Sequence, residues 1–415
     1  MSDDPQIATR RDVIQKLGAG TTATLLVGTA SAQVRAQAGG EQEEIVIARG
    51  GLDDEPRSTE RVPATWKRHE DALDQLQNVL GPRFVEKQDF VNGLRITRSN
   101  DSIDEYNLSK LEFQVSPSAS ERQVSSLPRS LPTAKTKVNL DLPSMVENNV
   151  QVQEISVKRD AERVGSTIVQ DQGIFANRDT IECGKLTDEW FCGGWLLNTP
   201  KSFATAGYRV RDTNKNKDMM MTANHILTTD CEVKDNVKVH DHNGNHVGTS
   251  TSQGHKGVDW TLLESSDNFN WSNQIDRGYP DGLDSIDGWV TKEGAQSINS
   301  RGDDVHRFGV GSGHSQGPIK GLGESNYESC QNFYLNAVTT GASVANHDSG
   351  GPHWFENSDG TFIFGQQSLG TGDGPQVQTC SSSGEDAFAT SWFYPFFRIK
   401  QDNPHLRIAG LEYNG

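Results

Sequence analysis

The sequence predicts a mainly β protein preceded by a small α/β unit, and three observations carry that reading. From residue 173 onward, short apolar runs alternate with turn signals such as Asn214-Lys215-Asn216-Lys217 and Asn243-Gly244-Asn245. Only 33% of the 415 residues are hydrophobic and 41 are glycine, which suits many short strands and tight bends better than long amphipathic helices. Between residues 61 and 115, by contrast, one helical period is followed by strand-like runs.

Residues 1–32 read as an export signal. Thr9-Arg10-Arg11-Asp12-Val13-Ile14 resembles a twin-arginine motif, residues 17–29 are apolar and small, and Ala30-Ser31-Ala32 offers a small-x-small cleavage site. No later stretch approaches the ~20 apolar residues of a membrane helix, so the expectation is a secreted, extracellular protein with no membrane anchor after signal removal. The formal net charge of -17 argues against nucleic acid as a partner, because a phosphate-binding face needs a basic surplus.

Residues 33–60 are expected to be a linker, Gly/Glu/Ala-rich up to Pro56 and without an apolar period. In residues 61–172, Trp66, Leu73, Leu76 and Leu80 recur at helical spacing, Pro63 suits the helix start, and Gly81-Pro82 should stop it. Phe84, residues 91–96 and residues 111–115 then read as strands, and residues 116–142 are rich in Ser, Pro and Lys, the profile of an exposed, cuttable connection. This stretch is either a prosegment or a permanent accessory unit. Residues 173–415 form the expected main domain. In it, residues 206–211 and 219–222 make a hairpin whose second strand runs into His225, and residues 236–247 make another. The closing run Trp392-Phe393-Tyr394-Pro395-Phe396-Phe397 reads as core and final-helix packing.

Three motifs carry chemistry. Asp348-Ser349-Gly350-Gly351-Pro352 displays a hydroxyl in a glycine-permitted bend beside backbone donors. Thr222-Ala223-Asn224-His225 ends an apolar strand on an imidazole, and Gly257-Val258-Asp259-Trp260 sets a carboxyl into an apolar strand. A serine needs a base, and the base an orienting group, before it attacks at neutral pH. In their order His225, Asp259, Ser349 these motifs resemble those of the trypsin/chymotrypsin-like serine proteases, and Gly365-Gln366-Gln367-Ser368-Leu369-Gly370 resembles that family's pocket-lining strand. The resemblance covers residues 204–399. It implies two six-stranded antiparallel β-barrels, with His225 and Asp259 in the first and Ser349 in the second.

The resemblance further implies a serine endopeptidase acting on a peptide or protein substrate, as a monomer and with no cofactor. His225, Asp259 and Ser349 would be catalytic, and the N–H groups of His347 and Ser349 would form the oxyanion hole, His347 standing where the family has glycine. Ser343, Ser368, Leu369 and Gly370 would bind substrate. Ser343 would give the pocket an uncharged base, which disfavours a Lys/Arg requirement, and Ser368 would hydrogen-bond Asp259. No Ile-Val-Gly-Gly start is present to supply a new N-terminus beside Asp348. Five cysteines leave at least one unpaired, and bridges Cys192–Cys231 and Cys330–Cys380 fit regions where the family often places them. His240, His242 and His246 lack an evident fourth ligand, and no metal is expected. The alternative function is a catalytically inactive, protease-like extracellular binding or adhesion protein, to which the replacement of glycine by His347 points.

Overall fold

The computed structural model of the chain describes residues 41–115, short parts of 119–127, and residues 190–408 apart from 202, 229–231, 256, 278–281, 327–332 and 378–384. The proposed signal at 1–32 and most of the 116–172 connection lie outside these residues. The chain divides into two compact units, residues 1–43 with 62–162, and residues 44–61 with 163–415.

The first elements are β1 (Gln42–Gly50), β2 (Glu55–Pro63), α1 (Ala64–Lys87), β3 (Val91–Ile103) and β4 (Tyr106–Val115). Within the first unit α1 buries Trp66, Leu73 and Leu76, and β3 and β4 form an antiparallel hairpin. The helix does not stop at Gly81-Pro82 but runs to Lys87. Phe84, expected in a strand, lies on this last part and meets Phe113 edge-on with ring centroids 4.7 Å apart. An interior proline costs a helix about 3 kcal/mol. Aromatic packing of this kind is one contribution that offsets the cost, since tertiary contacts override local propensity.

Most of the described part of the expected linker at 33–60 forms strands, β1 and the start of β2. These strands carry Ile45, Ile47 and Ala48 into the core, all at most 3% exposed. In the second unit β1 pairs antiparallel with a strand near residue 290, setting Ala48 opposite Val290 and Arg49 opposite Trp289. Side chains reinforce the seam: the Thr291 hydroxyl donates to the Val46 carbonyl, Ser58 donates to Asp359 at 2.6 Å, and Lys400 lies 2.5 Å from Asp54. Arg301 pairs with Glu60. The apolar run Ile45-Val46-Ile47-Ala48 is short and flanked by glutamates and glycines, which is why composition hides it.

The second unit continues with β5 (Trp190–Gly193), β6 (Leu196–Asn198), β7 (Phe203–Thr205), β8 (Tyr208–Asp212), β9 (Lys217–Thr222), β10 (Lys238–His240), β11 (His246–His255), β12 (Trp260–Ser265), β13 (Asn270–Asp276), β14 (Leu283–Ser285) and β15 (Gly288–Val290). After α2 (Lys292–Arg301) come β16 (Asp304–Gly309), β17 (Gly313–Asn326), β18 (Phe333–Thr340), β19 (Pro352–Asn357), β20 (Gly360–Val377) and β21 (Glu385–Pro395). The chain then runs through α3 (Phe396–Asp402) into β22 (Leu406–Arg407).

One six-stranded antiparallel barrel closes: β19-β16-β17-β18-β21-β20, with β20 returning to β19. A second closed six-stranded barrel, expected for the first half, is not seen among the described residues. The first half is an eight-stranded antiparallel path, β22-β8-β9-β12-β11-β10-β6-β7, whose end strands do not pair among the described residues. The β8–β9 hairpin forms with Tyr208 opposite Met221, and the buried Asp212 carboxylate accepts the Asn214 and Lys215 amides to fix its turn. Met219, Met221, Trp260, Leu262, Trp354, Trp392 and Phe396 share one buried cluster that runs through both halves.

Candidate active site

Strand β9 is buried from Met219 to Thr222, and it delivers the chain into a single 3-10 turn, Asn224–Ile226, that carries His225 at its centre. Asp259 comes from the turn before β12 and adopts φ +49, a left-handed conformation that an aspartate tolerates better than bulkier residues. There its carboxylate meets the histidine twice: Oδ1 accepts the His225 amide at 2.9 Å, and Oδ2 lies 2.6 Å from His225 Nδ1. The Asp259 carbonyl accepts the Asn224 amide at 3.2 Å, tying the two turns together. Asp259 is 2% exposed. Burial, and then this carboxyl, push the neighbouring Tyr394 phenol above its ordinary range, so it stays neutral.

Opposite stands Ser349, whose Oγ lies 2.8 Å from His225 Nε2. Its bend is anchored from both halves of the unit. Thr205 donates its amide to the Ser349 carbonyl at 3.0 Å, and Gly350 N–H donates to the Gln367 carbonyl at 2.8 Å. Gly350 has φ +89, and a β-carbon there would fall 2.1 Å from the Thr222 hydroxyl and 2.4 Å from the Thr205 carbonyl, so glycine is required on two counts. His347 also has positive φ, +74, although it is not glycine.

Asp348, between His347 and Ser349, is fully buried with Arg307. Arg307 Nη2 lies 2.7 Å from Asp348 Oδ2. The carboxylate also accepts the Gly311 amide at 2.8 Å, the Ser312 amide at 3.0 Å, the Ser312 hydroxyl at 2.6 Å and the Ala345 amide at 2.7 Å. Burial lowers the Arg307 pKa and Asp348 opposes that shift. The same guanidinium, after burial itself, helps hold the enclosed His353 well below the usual histidine range, so that imidazole is neutral.

The expected substrate strand is β20. Ser368 donates its hydroxyl to Asp259 Oδ2, and the Ser368 carbonyl lies 3.4 Å from Ser349 Oγ. Leu369 and Gly370 follow in the same strand, opposite Trp392 and Ser391. Ser343 is half-buried. Its carbonyl accepts from Arg307 and, at 2.7 Å, from the Ser315 hydroxyl, so its backbone braces the ion pair. Cys192 corrects the expected bridge to Cys231. It is a free, buried thiol packed among Phe191, Trp195 and Leu197, and burial pushes it up to about 12. Cys183, Cys231, Cys330 and Cys380 lie outside the described residues. Sequence reasoning missed Arg307 and Thr205, since neither sits in a motif. An arginine flanked by Val305 and Phe308 in a strand was the available signal for the first.

No protein-family model matches the chain, and no curated protein matches it. Solved structures do. Its structural neighbours are serine proteases. Protease A of Thermobifida fusca aligns over 53% of this chain and 99% of its own, at 20% identity and a TM-score of 0.40. The Nocardiopsis protease aligns over 52% and 98%, at 20% identity and a TM-score of 0.40. The chymotrypsin of Cellulomonas bogoriensis aligns over 52% and 97%, at 21% identity and a TM-score of 0.38.

Proposed function

We propose that this chain is an exported serine endopeptidase that cleaves peptide bonds through an acyl-enzyme on Ser349. The observation that carries the reading is the unbroken line from Ser349 Oγ to His225 Nε2 at 2.8 Å and from His225 Nδ1 to Asp259 Oδ2 at 2.6 Å. A serine, a base within hydrogen-bond reach and a carboxylate orienting that base are what acyl transfer needs. Ser349 Oγ attacks the peptide carbonyl carbon while His225 Nε2 takes its proton. The tetrahedral intermediate collapses, the C–N bond breaks, and His225 returns the proton to the leaving amine. Water, deprotonated by the same imidazole, then releases the acyl group. Asp259 keeps the proton on Nδ1 and stabilises the imidazolium, and Ser368 holds one Asp259 oxygen by its hydroxyl.

The oxyanion would meet the N–H groups of Ser349 and His347. One observation supports this role for His347. A β-carbon on Gly311 would lie 1.8 Å from the Asn346 carbonyl oxygen, so that carbonyl faces Gly311. In a trans peptide the His347 N–H must point the opposite way. The substrate is a peptide or protein held along Ser368, Leu369 and Gly370, with Ser343 at the pocket base, and no cofactor takes part. Export rests on the twin-arginine-like N-terminus.

The test is labelling of the purified full chain with a fluorophosphonate probe. Ser349 should carry the label, and Ser349→Ala should abolish it. No labelling of a folded wild type would turn the reading to the inactive binding or adhesion protein.

A further inference from the structure

His347 holds a conformation that residues with a β-carbon rarely adopt, so something must impose it. The backbone at a residue is set by the two peptide planes that meet at its Cα. In the plane before His347 the Asn346 carbonyl packs against Gly311. The plane after it is fixed by its own carbonyl, which accepts the Thr205 hydroxyl at 2.7 Å. That hydroxyl is itself aimed, since its oxygen accepts the Val310 amide at 3.0 Å, which leaves its proton for His347. Thr205 is fully buried, and its carbonyl accepts the Thr222 hydroxyl at 3.2 Å. The His347 side chain is pinned as well: Nδ1 lies 3.2 Å from the Phe203 carbonyl, a donation that requires the proton on Nδ1. The two rings meet edge to face with centroids 6.4 Å apart.

We propose that β7 clamps the oxyanion hole: Thr205, helped by Phe203, holds His347 in the left-handed conformation that turns its N–H toward the oxyanion, a task glycine would perform unaided. Thr205 is therefore a positioning residue for the reaction. This rests on the hydrolase reading above. It also makes His347 tolerable rather than disabling, because contacts from this strand help meet the cost of its β-carbon.

The experiment measures kcat and KM for ester hydrolysis, and the fluorophosphonate labelling rate, on the full chain. The variants are Thr205→Val, Thr205→Ser and Phe203→Leu, each in wild-type and His347→Gly backgrounds, with circular dichroism as the fold control. Thr205→Val should lower kcat by about tenfold to a few hundredfold, bounded by the loss of one oxyanion donor, with KM within about threefold. Thr205→Ser should restore kcat to within about threefold. In the His347→Gly background the Thr205→Val penalty should shrink at least about fivefold, because glycine takes positive φ without help. A folded Thr205→Val with an unchanged rate overturns the proposal, and so do equal penalties in the two backgrounds, which would mark Thr205 as merely structural. Should Thr205→Val fail to fold, Phe203→Leu decides: a rate loss confined to the His347 background supports the clamp, and an equal loss in both refutes it. A wild type silent to the probe overturns the hydrolase reading itself, and the clamp with it.

Discussion

Replacing Arg307 with methionine tests whether the turn that displays Ser349 depends on a buried ion pair. Arg307 and Asp348 are both fully buried, so Arg307→Met removes a cation and leaves a carboxylate without water. Breaking such a pair from one side costs about 3–5 kcal/mol. Asp348 keeps four other donors, from Gly311, Ser312 twice and Ala345, which places the loss near the lower end, about 3 kcal/mol. For a domain of this size that corresponds to roughly 6–12 °C in the melting temperature. Because Asp348 separates the two residues proposed to hold the oxyanion, kcat should fall about a hundredfold with KM within about threefold. Arg307→Lys keeps the charge. It loses the fork that reaches the Ser312 hydroxyl at 2.6 Å and the Ser315 hydroxyl at 3.2 Å, together with the Ser343 carbonyl, so it should fall between wild type and methionine. Scanning calorimetry and ester kinetics read both effects. A methionine variant within about 1 kcal/mol of wild type, or a lysine variant no better than methionine, would refute the argument.

Ser349→Ala and His225→Ala should each abolish peptide hydrolysis while circular dichroism stays that of wild type, and hydrolysis surviving in either would end the triad assignment. Glu70, fully buried, is pushed up to about 8 by desolvation while its Oε1 accepts the Ser109 amide at 3.0 Å. The folded chain therefore binds a proton that the unfolded chain releases. Stability of the first unit is full below about pH 4.5 and falls as pH rises toward about 8. Glu70→Gln should flatten that fall by a few kcal/mol, read as hydrogen-exchange protection of residues 64–115 at pH 5 and 8, and an unchanged slope would count against it. Finally, a single cut between residues 116 and 172 should leave the N-terminal piece bound, because residues 44–61 belong to the second unit, where β1 pairs with β15. Fragments that separate on native size-exclusion chromatography would show the β1–β15 pairing to be dispensable.

What could be read in the sequence was what lies close together in it. Thr222 to His225, Gly257 to Trp260 and Asp348 to Pro352 each hold a side chain proposed to be catalytic and its local backbone requirement within a few residues, so the resemblance they carry was visible before any fold. The β8–β9 hairpin was legible for the same reason, with Asp212 and the Asn214 to Lys217 turn adjacent. Arg307 was not, because an arginine in a strand reads as solvent-facing until its partner is known, and Asp348 lies on a distant turn. Strands within the expected linker were missed because their apolar run, Ile45 to Ala48, is only four residues long and lies between glutamates and glycines. The extension of α1 past Pro82 and the free Cys192 were settled by what packs around them, which local spacing does not encode.

The way Asp348 is satisfied bears on how the proposed enzyme would be controlled. A buried carboxylate beside the nucleophile needs a cation. Where a newly cut N-terminus must supply it, the uncut chain lacks the pair and its oxyanion turn is unbuilt. Here the cation is Arg307, on β16 of the same closed barrel, and it is in place while the N-terminal strands are still part of the chain. Folding alone therefore assembles Asp348, His347 and Ser349, and Thr205 adds a second internal lock on the same turn. Small esters and fluorophosphonates need only the reacting atoms, so they report on the turn itself, whereas a protein substrate reports on access as well.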